Sequence, residues 1–168
     1  MSVLSGTEVS KYCSSFKKIN PNGVDVAPKE VRQISAYAKI FIKGDDRGYV
    51  DSLSEGGLTD SKELVLPDET EFYEFHQNGL YEMRFPKVTI PADCMGLAFP
   101  RSTINRLGII KLESAVFDSG YSGEFTQSFF FPLRARIHKD EALVQLVFFR
   151  NEAPSEILYH GRYQNESV

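Results

Sequence analysis

The sequence contains no tryptophan, two cysteines and three histidines in 168 residues, and each scarcity narrows what the chain can do. Cys13 and Cys94 are far apart and unaccompanied, too few for a disulfide scaffold or a thiolate metal cage, so both are expected to be reduced thiols. His76, His138 and His160 are scattered without the spacing of metal ligands, and are expected to be ordinary surface or core residues. Positive charge is also scarce: 19 Lys and Arg against 23 Asp and Glu leave a net charge of -4. A broad nucleic-acid or anionic-membrane surface needs a basic stripe to displace counterions or meet headgroups, so neither partner is expected, although a local anion site is compatible with that balance. No apolar run approaches the ~18 residues of a membrane span and no secretory leader is visible, so the expected location is the cytoplasm. The familiar signatures GxxxxGKS/T, HExxH and HxE with PCxxC are missing as well, which removes the phosphate loop, the zinc protease and the zinc deaminase.

What is present is the composition of an ordinary globular domain, 42% hydrophobic and 25% charged, long enough for one real core. A short helix is predicted near Thr7 to Phe16, because Ser5 or Thr7 can cap it and Val9, Tyr12 and Phe16 fall at helical spacing. After Pro21 the period changes to two. VRQISAYAKIFIK (31 to 43), KELVLP, EFYEF, LYEMRF and KVTIP are predicted strands, and so are LGIIKLESAVF, EFTQSFFF, LRARIH and EALVQLVFF, all rich in β-branched and aromatic residues and bounded by turn residues. The pattern is that of an antiparallel all-β domain. Residues 44 to 60 are the most polar and Gly-rich stretch and are expected to form an exposed hairpin or loop. FFFP and VQLVFF are assigned mainly to the core, with an interface taking part of them.

Two stretches carry chemistry. In VFDSGYSGEF (116 to 125), Asp118 follows two apolar residues and precedes a Ser-Gly-Tyr-Ser-Gly turn; Asp before Ser-Gly is ordinary turn chemistry, and the same position suits a site acid. In GLAFPRSTINRLGI (96 to 109), a hydrophobic strand ends at Pro100 and Arg101, Ser102 and Arg106 arrive together with Thr103 and Asn105. A turn or short helix there would combine free N–H groups, a hydroxyl and two guanidiniums into an anion site; a solvated basic turn between strands is the plain alternative.

With PNGVD (21 to 25), ALVQLVFF (142 to 149) and YHGRYQN (159 to 165), these stretches form five ordered motifs that together resemble the dUTPase and dCTP deaminase superfamily over residues 20 to 166. PRSTINR followed by AVFDSGYSG is most similar to the archaeal, dCTP deaminase-like dUTPase branch. The resemblance implies a distorted β-barrel or jelly-roll-like fold with a short N-terminal helix, in which residues 1–158 form one β domain and 159–168 a C-terminal tail closing over the nucleotide. It implies that Asp118 faces the deoxyribose and the attacking water. It implies further that Gly120 and Gly123 shape a hairpin that reads the base through main-chain groups, that Tyr121 packs on the sugar, that Arg101, Ser102 and Arg106 bind phosphates, and that Gln145 positions phosphates or water. The same resemblance implies that Asn22 and Asp25 lie near a subunit interface.

One position separates the two chemistries of that superfamily. Where dCTP deaminases carry a glutamate that shuttles protons to the cytosine ring, this chain has Ser128, whose hydroxyl is no base near neutral pH, and a positioned acid/base is worth about 10²- to 10⁴-fold. Glu124 is on the same face but about 13 Å away by strand rise. The resemblance therefore implies dUTP hydrolysis to dUMP and pyrophosphate, with Mg²⁺ carried mainly by the nucleotide phosphates and no protein metal cage, in a homotrimer with sites between subunits. The tail lacks the Gly-rich, Arg-containing segment of ordinary trimeric dUTPases. It is similar instead to that of the deaminase branch, which carries over Tyr159, Arg162 and Gln164 as nucleotide contacts, while Glu166 stands where that branch often has a glutamine. A dCTP deaminase, mono- or bifunctional, and a catalytically silent nucleotide-binding protein on the same scaffold are the alternatives.

Overall fold

The structure, a computed structural model, describes residues 2–43, 46–51, 61–112 and 116–165. In chain order its elements are β1 (Ser2–Val3), α1 (Gly6–Ser10), β2 (Lys18–Asn20), β3 (Gly23–Val26), β4 (Glu30–Ile34), β5 (Ala38–Lys43), β6 (Asp46–Asp51), β7 (Lys62–Val65) and β8 (Phe72–Phe75). β9 (Gly79–Thr89), β10 (Cys94–Pro100), α2 (Ser102–Arg106), β11 (Ile110–Lys111), β12 (Ser122–Phe131), β13 (Ala135–His138) and β14 (Val144–Arg150) follow. This is the expected all-β chain with a short N-terminal helix. One five-stranded sheet is built around β14, with β10 on one side and β1, β3 and then β2 on the other; the second runs β11-β12-β9-β4-β7. All strand pairs are antiparallel among the described residues.

The core lies between the two sheets because alternate residues of each strand point inward. Val144, Leu146 and Phe148 of β14 and Tyr81, Met83 and Phe85 of β9 are fully buried. In the FFFP run, Phe129 and Phe131 are likewise buried, and Phe131 stacks on Phe75 with centroids 4.1 Å apart and meets Tyr81 edge-on at 5.4 Å. Full burial of each such ring stabilises the fold by about 1.5–3 kcal/mol. The intervening residues of β14, Gln145, Val147 and Phe149, face away from the core and are half-buried, so that run divides between core and outer surface as the period of two requires.

Several expected elements differ in extent. The helix is shorter than predicted: Ser5 accepts the Glu8 N–H as its cap, the helix ends at Ser10, and Phe16 lies beyond it and is exposed. The stretch 31–43 breaks into β4 and β5 at Ser35, whose carbonyl and hydroxyl accept from Ala38 and Tyr37 N–H groups. LYEMRF and KVTIP merge into the single strand β9 through Pro86. Opposite Pro86 the register of β12 shifts between Gly123 and Phe125, so the missing N–H falls at a bulge where the ladder is already interrupted. LGIIKLESAVF keeps only β11 and a bridge between Phe117 and Gly96; residues 113–115 lie outside the described residues. β6 pairs with β5, so the first part of the stretch 44–60, expected to be an exposed hairpin or loop, instead forms a hairpin with the strand before it; residues 44, 45 and 52–60 lie outside the described residues.

Candidate active site

The turn around Asp118 is fixed by main-chain bonds to Gly96 of β10 and to Ile90, just past the end of β9. Phe117 and Gly96 exchange N–H···O bonds of 2.9 Å, Gly120 N–H donates to Ile90 C=O (3.0 Å), and Ile90 N–H donates to Tyr121 C=O (2.8 Å). The Ser119 hydroxyl donates to Cys94 C=O at 2.6 Å and accepts from the Asn151 amide at 3.2 Å. Gly120 has φ +84°, the left-handed region that glycine enters without a Cβ penalty. Alternation then leaves Asp118 exposed between buried Phe117 and Ser119. The turn closes through the Asp118 main-chain carbonyl, which accepts from Tyr121 N–H at 3.0 Å, so the carboxylate takes no part in it and is open to a ligand.

Tyr121 is 6% exposed. Its ring packs against Phe117 (5.6 Å) and edge-on against Tyr159 (5.4 Å), and its hydroxyl donates to Glu124 C=O at 2.8 Å. The C-terminal segment lies on this same turn: Tyr159 N–H donates to Ser119 C=O (2.9 Å) and Asn165 N–H to Ser122 C=O (2.6 Å). The Gln164 side chain donates to Gly120 C=O (3.0 Å) and accepts from Ser122 N–H (3.1 Å). Asp118, Gly120, Tyr121, Tyr159 and Gln164 are thus gathered by one chain, with Arg162 exposed beside them.

The second group collects at the opposite end of β10. PRSTINR does form a helix, anchored by buried Ile104, with Ser102 and Arg106 exposed. Arg101 behaves differently from the other two. Its Nε is 3.0 Å from Asp25 Oδ2, and its Nη1 donates to Ala142 C=O at 2.8 Å and to Glu141. Asp25 is 5% exposed and also accepts from Asn20 Nδ2 at 2.7 Å. A guanidinium so engaged ties PNGVD to PRSTINR before it meets any ligand. In register, Phe99 opposes Gln145 and Gln145 opposes Asp25, which puts Gln145 on the same outward row.

The two groups are held apart along β10: from Gly96, which bridges Phe117, to Pro100 is four residue rises, about 13 Å, so Asp118 and Arg106 of one chain lie toward opposite ends of that strand. Ser128 sits in β12 on the outward face, directly opposite Glu82, whose carboxylate is held by Lys62 at 2.8 and 2.9 Å. Glu124 shares that face but pairs with Lys29 and Arg84. The Glu82 and Arg101 partnerships were not predicted, because strand register and long-range ion pairs leave no signal in local spacing. Burial raises the thiol pKa of both cysteines, that of Cys13 to about 12, so neither is set up as a nucleophile. Among the described residues, no group of three or more His, Cys, Asp or Glu is gathered to hold a metal ion, and no helix is long and apolar enough to cross a membrane.

Residues 3–151 match the family model described as dCTP deaminase-like. A probable deoxyuridine 5'-triphosphate nucleotidohydrolase of Methanosarcina barkeri is 33% identical over 189 aligned positions, covering all of this chain and 99% of that one. A protein of the same name from Aeropyrum pernix is 32% identical over 72% of this chain and 80% of its own. Among solved structures, the 2'-deoxycytidine 5'-triphosphate deaminase of Agrobacterium tumefaciens superposes with a TM-score of 0.61 at 14% identity, covering 87% of this chain. The chain spans about half the length of that deaminase, 47%, and the likeness is one of fold.

Proposed function

Because the chain belongs to the dCTP deaminase-like family, we propose that it hydrolyses dUTP, the probable activity given in the names of its archaeal relatives, and that the products are dUMP and pyrophosphate. The observation that carries this is Asp118, an exposed carboxylate on a turn pinned by four main-chain bonds and a buried serine. A carboxylate held there can orient a water and take its proton while the water oxygen bonds to the α-phosphorus. The bond from that phosphorus to its bridging oxygen breaks, and pyrophosphate leaves. Arg106 and Ser102 grip the phosphates, with Arg101 and Gln145 beside them. Gly120 and Ser122 offer main-chain groups to the base, Gly123 shapes the hairpin, and Tyr121, Tyr159 and Arg162 border the nucleotide.

A triphosphate brings about four negative charges that Arg101 and Arg106 do not balance, and Arg101 is already paired with Asp25 and Glu141. The donor set fits Mg²⁺ carried by the nucleotide, since Asp118 is an exposed carboxylate that belongs to no cluster of His, Cys, Asp or Glu among the described residues. When bound with the substrate, Mg²⁺ would supply charge neutralisation at the phosphates.

The assembly we propose is a homotrimer whose sites lie between subunits. The separation along β10 supports it, because a neighbouring chain's helix can bring its Arg106 to the Asp118 turn that this chain's own helix lies away from. The outward face of β10 and β14 supports it too: Met95, Leu97, Val147 and Phe149 are half-buried, Phe99 is 41% exposed, and Gln145 lies among them. Such an apolar face is suited to burial against a second copy.

One observation bears on a second chemistry. Glu82 faces Ser128 across the strand pair and would be the nearest carboxylate for a deaminase, but both of its oxygens are taken up by Lys62. Incubation with dUTP or dCTP and Mg²⁺, measuring pyrophosphate and ammonia separately, tests both: pyrophosphate from dUTP is expected. Ammonia from dCTP would make the protein a deaminase.

A further inference from the structure

A cleft of about 280 Å³ opens where four stretches of chain meet: Ser14 to Lys17 after α1, Pro28 and Lys29 between β3 and β4, Pro86 in β9, and Lys139 and Asp140 between β13 and β14. Three lysines from distant parts of the sequence line it. Lys17 is bonded to Asp140 at 2.5 Å, Lys29 to Glu124, and Lys139 to Glu71 at 2.5 Å. An ammonium has three N–H groups, so each lysine is pinned by its acid and keeps donors over. Of these three acids only Asp140 lines the cleft, which leaves three cations around one anion. Ser14 and Ser15 add hydroxyls that have no hydrogen-bond partner among the described residues, and Pro28 and Pro86 form a wall without an N–H of its own.

We propose that this cleft is a second anion site, which takes a small, multiply charged oxyanion of the phosphate class. Its volume is at the small end of ligand sites, which run from roughly 300 Å³ upward, and suits a phosphate or pyrophosphate better than a whole nucleotide. The ion pairs prepare it, because they hold three long side chains in place before a ligand arrives and so lower the ordering cost of binding. They are also open to exchange. The side chains of Lys17, Lys29 and Lys139 are 41%, 50% and 40% exposed, and exposed pairs contribute little, so Lys17 can trade Asp140 for a more highly charged partner. None of the lining residues is one of the candidate active-site groups, and the inference does not depend on dUTP hydrolysis. The cleft borders that site, since Lys17 N–H donates to Asp25 C=O at 2.7 Å and Asp140 precedes Glu141, which holds Arg101; binding is therefore to be read with the phosphate helix disabled as well as intact.

Titration of pyrophosphate and, separately, of inorganic phosphate into the full chain at about 0.1 M salt, followed through the Ser14, Ser15 and Lys139 amide resonances, tests the site. Saturable shifts are expected, and they should persist in Arg106→Ala; the tighter of the two anions identifies the one the cleft is shaped for. Replacing both Lys17 and Lys139 by Gln should weaken binding about tenfold or more. Asp140→Asn, which removes the one acid in the lining, should tighten it about threefold or more, a gain that no loss of fold could imitate. Shifts that fail to saturate, unchanged affinity in the lysine variant, or no gain with Asp140→Asn would overturn the site. Loss of binding in Arg106→Ala would overturn it too and assign the anion to the phosphate helix. Pyrophosphate release from dUTP would stand in every one of these cases.

Discussion

Asp118 owes its availability to what its neighbours do. Phe117 and Ser119 turn inward, the main chain closes the turn, and the carboxylate is left over. Asp118→Asn keeps the shape and loses the base, so turnover of dUTP is expected to fall about 10²- to 10⁴-fold while the affinity for a non-hydrolysable α,β-imido-dUTP changes little, which single-turnover kinetics beside a binding titration would show. Near-wild-type turnover would assign the water to another group. The acid, its turn and the serine at 128 were all legible in the sequence, because each is fixed by local order along the chain. The state of Arg101 was not. It was expected to meet phosphate with both its neighbours, and it is committed to Asp25, 76 positions earlier in number and adjacent only after folding. Tyr121 likewise gave no sign that its ring would be sandwiched between Phe117 and Tyr159: an aromatic flanked by turn residues reads the same whether it faces a ligand or a neighbour.

Among the elements, the β8–β13 ribbon carries the clearest electrostatic signature. Asp68 accepts from Arg136 at 2.7 Å, from the Thr70 hydroxyl at 2.7 Å and from the Thr70 and Phe72 N–H groups at 2.8 and 3.0 Å. These bonds, that of Arg136 foremost, hold its carboxyl well below the ordinary carboxylate range. A depressed folded-state pKa stabilises above the unfolded value and is lost as the pH falls, so the contribution should fade below about pH 4. Thermal melts at successive acid pH values are expected to decline less steeply for Asp68→Asn than for the wild type; parallel curves would show that the clasp adds nothing. Strand existence was legible here and almost everywhere, since period-two apolar runs survive any arrangement of neighbours. Strand limits were not. Ser35 splits one predicted strand and a bulge joins two others across Pro86, and both outcomes depend on partners far away in the chain.

At the scale of the whole molecule, the pairing order of β10 and β14 decides how a site can be assembled. Asp118 and Arg106 lie toward opposite ends of β10, and the outer face between them is apolar. Subunits carrying Asp118→Asn and subunits carrying Arg106→Ala are each expected to be inactive alone. Refolded together in equal amounts they should regain about one quarter of wild-type activity, because one site in four then draws an intact group from each neighbour. No recovery would place both groups in one chain's site. The fold class was readable from composition and period, but this division was invisible until the register set Gly96 beside Phe117 and left Pro100 at the far end.

A strand that works as a spacer also changes what a damaged copy means. In the proposed assembly, a chain spoiled at its turn still lends a sound helix to the next chain, and one spoiled at its helix still lends a sound turn. Where chains with the two kinds of defect are made together, lost function would follow the statistics of assembly and not the headcount of defective chains.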